Sequence, residues 1–289
     1  MTHGSRGPGA RARWRTLAFG VATLLGRPRG FFLPHRYADA IAPPRTYPEL
    51  EEPFRLAEPA FHELFDRIDG YGADLRAIGG GPPPQPRWDQ DWFPRLDAAP
   101  AYALVRATRP GRIVEVGSGH STRFLARAVR DGDLATALVT VDPAPRAGID
   151  GLGADVRRTT LQAALAGADD PFRFAPGDIL FIDSSHLLMP GSDVDLLLTR
   201  LLPRLPPGGI LHVHDVFLPD AYPRAWSWRG YNEQNALAPL LCGAGFEILF
   251  ASRWAATRMA DRLARSALAA LPIPPGAWET SLWLRRGPA

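Results

Sequence analysis

Lysine is absent from the 289 residues: all 33 basic side chains are Arg. That excludes pyridoxal phosphate chemistry, which needs a Schiff-base Lys, and the phosphate loops and kinase folds that depend on one. Cysteine occurs once, at Cys242, so no intrachain disulfide can form, and a reducing compartment, the cytoplasm, is expected. No acidic residue precedes Asp39, whereas Arg6, Arg11, Arg13, Arg15, Arg27, Arg29 and Arg36 do. The first 38 residues therefore carry +7, and the remaining 251, with 26 Arg against 30 acids, carry −4. A mildly acidic body lacks the basic surface that nucleic-acid binding requires, so no nucleic-acid partner is expected. Long apolar runs are also missing. Leu17 to Leu25 is broken by Gly20, is too short to cross a bilayer, and is followed by no small-x-small cleavage site.

What remains is ordinary globular composition, 46% hydrophobic and 22% charged, long enough for one large domain. Residues 1–30 are expected to form a disordered or loosely docked basic tail. The alternative is membrane-surface contact through its Arg residues and Trp14, Leu17, Phe19 and Leu24. Residues 31–87 are expected to form a helical and irregular cap: Phe61, Leu64, Phe65 and Ile68 recur at helical spacing, and GGGPPPQPR at 79–87 marks a boundary. From residue 88 to 289 strands alternate with helices. Strands are predicted at 112–116, 137–141, 156–160, 178–182, 210–214 and 246–251, with a last edge strand at 278–284. Helices are predicted near 121–129, 193–202 and 233–242. The pattern implies an α/β fold with a doubly wound, mostly parallel sheet, whose ligand lies beyond the carboxyl ends of the strands.

The residues just after each strand therefore carry the functional content. The first strand runs into EVGSGHST, where Gly117 and Gly119 allow a tight turn and close approach to a ligand. As a dinucleotide fingerprint the run is imperfect, because Thr122 stands at the third small position. Glu115, two residues before the first Gly, would repel a pyrophosphate but favour a cofactor carrying an ammonium or sulfonium charge. The second strand ends at Asp142, at the distance expected of a carboxylate that accepts ribose hydroxyls; alone, it would read equally well as a turn residue before Pro143.

The runs IVEVGSGHSTRFLARAV, VTVDPAPR, GDILFIDSSH and GGILHVHDVFLPDAYP with RGYNEQ, in this order over residues 88–254, resemble the class I S-adenosylmethionine (SAM)-dependent methyltransferases. The likeness is to a bacterial branch with the FIDSSH and HVHD pair. The resemblance implies a seven-stranded Rossmann-like sheet with SAM over its first two strands. Gly117, Ser118 and Gly119 would pack against the cofactor, Glu115 would face its methionine end, Asp142 would hold the ribose, and Ser121 and Thr122 would add donors. Asp183, Ser184, Ser185 and His186 follow the fourth predicted strand, while His214 and Asp215 close the fifth. Two chemistries fit: His186 or His214 as general base on an acceptor hydroxyl, or a divalent metal held by Asp183, His214 and Asp215. Some sugar and catechol O-methyltransferases look similar here but use acidic pairs where this chain has His214 and Asp215. His212 is expected to be a packed histidine. The aromatic connection with Tyr222, Trp226, Trp228 and Tyr231 could line an acceptor pocket, with Arg224, Arg229 and Glu233 for polar recognition. WDQDWF at 88–93 could close over the cofactor.

The expectation is O-methylation of a small molecule or sugar. The alternatives are a nicotinamide-dependent oxidoreductase and a non-catalytic, membrane-associated binding protein on the same fold. The sequence carries no signal for oligomeric state.

Overall fold

The computed structural model describes residues 10–288 except 28, 32–34 and 244. Its centre is a seven-stranded sheet: β1 (Arg112–Val116), β2 (Ala137–Val141), β3 (Asp155–Arg157), β4 (Ile179–Ile182), β5 (Ile210–Val213), β6 (Phe246–Ala251) and β7 (Leu282–Arg286). The order is β3-β2-β1-β4-β5-β7-β6, with β7 antiparallel to both neighbours and the other pairs parallel. Strands covered by helices on both faces need apolar side chains on both, and β4 (ILFI) and most of β1 (RIVEV) meet that demand with continuous buried runs. The antiparallel β7 wedged between β5 and β6 separates this topology from the open dinucleotide-binding sheet of order 3-2-1-4-5-6. The last strand is thus interior and β6 is the edge. Trp283 of β7 is fully buried against Phe181 and His212, a placement no edge strand would give.

The helices are α1 (Ala10–Leu24), α2 (Glu51–Gly70), α3 (Gly72–Arg76), α4 (Arg95–Thr108), α5 (His120–Asp131), α6 (Leu161–Ala166), α7 (Asp193–Leu196), α8 (Glu233–Leu241), α9 (Ser252–Arg258) and α10 (Ala260–Ala264). A π-helical stretch, Leu197–Leu201, continues α7, so the single helix expected at 193–202 changes winding midway. The described part of the expected tail is also different: residues 10–24 are helical, while 1–9 lie outside the described residues.

The helical segment before residue 79 forms a layer of the domain itself. On α2, Phe61 and Phe65 meet Phe250 of β6 edge-on and Phe54 stacks on Trp254. Burying five such side chains contributes about 1.5–3 kcal/mol each. Arg262 of α10 closes the rim by bridging Asp66 and Asp69. Residues 50–78 share one hydrophobic core with the sheet, so the Gly/Pro run at 79–87 is a surface loop rather than a domain boundary.

Candidate active site

A cleft of about 650 Å³ opens beyond the carboxyl ends of β1, β2, β4 and β5. Its floor on one side is the turn from β1 into α5. Gly117 takes φ +84, and a Cβ placed there would lie 1.8 Å from the backbone oxygen of Asp183, so the strand ends can approach only at glycine. The Gly117 N–H donates to Val141 and that of Asp183 to Val116, tying the loop to β2 and β4.

Glu115 lies beneath this loop, not in the cleft. It is fully buried, and both its oxygens accept, from Ser121 Oγ and Thr122 Oγ1, at 2.6 Å each. Burial outweighs these hydrogen bonds and pushes its pKa up to about 8. The expected role facing a methionine end is therefore corrected: Glu115 fastens the first turn of α5 to β1. The same contacts correct Ser121 and Thr122. Their hydroxyls are turned inward to Glu115, and Thr122 Oγ1 also accepts from the Gly119 N–H, so neither is a free donor to a ligand.

Asp142 stands on the cleft wall and clamps the loop as well. Its Oδ2 accepts from Ser118 N (2.7 Å) and Ser118 Oγ (3.0 Å), and its Oδ1 from Ala144 N (2.8 Å). These contacts are those of the turn residue, and they leave room for a ligand hydroxyl. A carboxylate has about four acceptor positions, so one on Oδ1 stays open and a second is freed when the Ser118 hydroxyl rotates away.

At the other end, the segments after β4 and β5 bring two imidazoles and two carboxylates together. His186 Nε2 lies 3.4 Å from Asp183 Oδ1 and 3.5 Å from Asp215 Oδ2, and His214 Nδ1 lies 3.4 Å from Asp183 Oδ1 and 3.6 Å from Asp215 Oδ1. Each ring is held from behind by a buried carboxylate. Glu233, at the start of α8, contacts His186 Nδ1 at 2.8 Å, and Asp97, in the first turn of α4, contacts His214 Nε2 at 3.3 Å. Asp97 is in turn fixed by the backbone N–H groups of Thr280 and Ser281. His186 and Asp215 both adopt left-handed backbone, φ +59 and +56, a conformation that costs a non-glycine residue about 1–2 kcal/mol.

The electrostatics follow from this packing. Burial would drive both imidazoles to their neutral forms, but the surrounding acids prevail. Asp183, Glu233 and Asp215 hold His186 well above the ordinary histidine range, and Asp183, Asp215 and Asp97 do the same for His214. Burial would likewise protonate Asp183, yet His214 and His186 hold it well below the carboxylate range. His212 behaves as the packed residue expected of it. It stacks on Phe181 at 3.6 Å, and burial followed by the charge of His214 depresses its pKa.

The aromatic connection divides. Trp226, Arg229 and Tyr231 line the cleft, with Tyr231 against His186 at 4.7 Å, whereas Arg224 is exposed and Glu233 is the buried partner of His186 rather than a recognition group. The His186 carbonyl accepts from the Asn232 and Glu233 N–H groups, pinning the connection to the end of β4. In WDQDWF, Trp88 and Phe93 pack against Phe124; Trp92 borders the cleft with Arg146 over its face at 4.1 Å. Among the described residues, no three His, Cys, Asp or Glu side chains are arranged to hold a metal ion. The metal reading of Asp183, His214 and Asp215 therefore rests on the proximity of His214 to the two carboxylates, at 3.4 and 3.6 Å.

Sequence reasoning missed Asp97. Its helix is apolar on nearly every side and shows no amphipathic period, and the one usable signal was a lone acid inside that run.

Residues 114–216 match the family model of a methyltransferase domain. No curated protein matches the chain. Among solved structures, the chain is similar to the O-methyltransferase TomG from Streptomyces achromogenes, involved in tomaymycin synthesis and solved with SAM. Identity is 16% over 78% of this chain and 90% of that one, with a TM-score of 0.40. An O-methyltransferase from Bacillus cereus solved with SAH is 14% identical over 78% and 90%, with a TM-score of 0.40. MycE, a methyltransferase of the mycinamycin biosynthetic pathway solved with Mg, SAH and mycinamycin VI, is 20% identical over 65% and 48%, with a TM-score of 0.38. The glycine loop, Asp142 and the Asp183 to Asp215 cluster all fall inside the residues that match the methyltransferase-domain model.

Proposed function

We propose that the protein is a cytoplasmic SAM-dependent methyltransferase that acts on a hydroxyl group of a small molecule or sugar. The observation that carries this is one cleft with two ends: a glycine turn with a ribose-competent Asp142 at one, and a carboxylate-backed imidazole at the other. The residues fit the cofactor. Gly117 and Gly119 keep the floor thin, Asp142 offers open acceptor positions, and the acids Asp183 and Asp215 suit a nearby sulfonium. When bound, SAM supplies an electrophilic methyl group for direct displacement.

The chain's own contribution is alignment, exclusion of water and removal of the hydroxyl proton. His186 Nε2 accepts that proton. Glu233 holds the ring through Nδ1 and stabilises the imidazolium that forms, as a buried carboxylate does in other carboxylate–histidine pairs. His214 keeps its charge between Asp97, Asp183 and Asp215, so Asp183 stays ionised toward the cofactor. No step requires a metal. Transfer of radiolabelled methyl from SAM into a small-molecule fraction of cell extract is expected, and a chelator should leave it unchanged. Label found only in nucleic acid, or transfer abolished by chelation, would contradict the proposal.

A second feature concerns location. On α1, Trp14 and Leu24 are about 70% exposed, Leu17 and Val21 are also exposed, and no acid accompanies the Arg residues of this region. No helix among the described residues is long and apolar enough to cross a membrane. Such a basic, apolar helix suits the surface of an anionic bilayer. Co-sedimentation with phosphatidylserine vesicles, lost at high salt and on deletion of residues 1–26, is expected; equal binding to neutral vesicles would sink the idea.

A further inference from the structure

We infer that the acceptor carries a carboxylate, which Arg229 binds while the acceptor's hydroxyl is presented to His186. This inference rests on the methyl-transfer function proposed for the same cleft and adds the chemical class of its substrate.

The cleft wall is rich in acids, with Asp91, Asp142, Asp183, Asp193 and Asp215, and holds two arginines. Arg146 lies at the nucleoside end, over Trp92 and with its N–H on the Ser118 carbonyl. Arg229 lies at the acceptor end. Its guanidinium sits over the faces of Trp226 (4.2 Å), Tyr231 (5.2 Å) and Trp228 (5.3 Å), and one nitrogen donates to the Tyr231 hydroxyl at 2.9 Å. Its Nε is buried with no acceptor, and no carboxylate lies within ion-pair distance among the described residues.

That isolation is informative. Elsewhere Arg95, Arg253, Arg258 and Arg262 each meet a carboxylate in the protein. An arginine held rigid by three aromatic faces, with a desolvated and unanswered donor, is a preformed fork for a planar anion. Tyr231 packs near both groups, with the Arg229 guanidinium 5.2 Å and the His186 ring 4.7 Å from its ring centre. Arg229 and His186 line the same cleft, so one small acceptor can place a carboxylate on the first and a hydroxyl at the second. Trp226 and Trp278 supply apolar wall for the body of the acceptor. A neutral acceptor would leave the Arg229 charge without a counter-charge, which penalises it relative to the acid.

The test uses full-length protein saturated with S-adenosylhomocysteine, whose binding is first verified by calorimetry. Caffeate and protocatechuate are then titrated against their methyl esters, following Trp fluorescence. The acids should bind at least about tenfold tighter than the esters, the equivalent of one charge-assisted hydrogen bond. Arg229→Gln should erase that preference and Arg229→Lys retain part of it, while both variants keep their affinity for S-adenosylhomocysteine. Esters binding as well as acids, or a preference that survives in Arg229→Gln, would overturn the carboxylate site and leave the methyltransferase function standing. Failure of S-adenosylhomocysteine itself to bind would remove both.

Discussion

His186→Asn is expected to lower kcat for methyl transfer by about a hundredfold to ten-thousandfold, the range of a lost general base. Asn is the suitable replacement because it tolerates the left-handed backbone that His186 adopts at φ +59. The affinity for S-adenosylhomocysteine should be unchanged, since Asp142 and the glycine turn lie at the other end of the cleft. Glu233→Gln should cost about tenfold to a hundredfold, because it leaves the ring in place but weakens its orientation and basicity. The pH dependence has a definite sign. Only the neutral imidazole accepts a proton, and the surrounding acids raise the His186 pKa well above 6.5. The base form is therefore scarce at neutral pH, and kcat should climb as pH rises above the ordinary histidine range. His186→Asn should flatten that climb. A steady-state pH profile of both proteins checks this, and an undiminished kcat with the same profile would move the base to His214.

Gly117→Ala is expected to have the largest effect on stability, about 3 kcal/mol or more. Left-handed strain contributes about 1–2 kcal/mol and overpacking about 1–3 kcal/mol. The clash is with backbone: the new methyl would lie 1.8 Å from the Asp183 oxygen and 2.6 Å from its carbonyl carbon, where no rotamer change gives relief. Relief would require β1 and β4 to part at their carboxyl ends, which also opens the cleft. Cofactor binding should fall with stability. Gly119→Ala should be milder: it shares the backbone strain, at φ +156, but escapes the clash, because the nearest atom to its Cβ is 3.5 Å away. Urea unfolding of the three proteins decides it, and a wild-type midpoint for Gly117→Ala would contradict the packing described.

The contrast between β1 and α4 shows what the sequence makes legible. β1 and β2 are bounded residue for residue, because buried parallel strands are apolar runs flanked by polar residues and turns. α4 escapes because burial on nearly all sides removes the helical period and Pro100 reads as a helix breaker. The alternation near the C-terminus betrays a strand, but strand order is a long-range property, so the interior place of β7 could not be read from it. The candidate site divides in the same way. The glycine turn, Asp142 and the His/Asp cluster follow strand ends and are visible as local motifs. Glu115 was legible as an acid at the right place, but its direction depends on the hydroxyls of Ser121 and Thr122 one helical turn later. Glu233 behind His186, 47 residues distant, and Asp97 behind His214, 117 residues distant, exist only once the chain folds.

Everything proposed for this cleft depends on its binding a SAM-type cofactor through Asp142. Isothermal titration of the full-length protein with S-adenosylhomocysteine, beside the Asp142→Ala variant, tests it most directly. Saturable binding by the wild-type protein is expected, with about a tenfold to hundredfold weaker affinity in the variant, the worth of one or two hydrogen bonds to a charged carboxylate. Absence of binding by the wild-type protein, or equal affinity in the two, would contradict it.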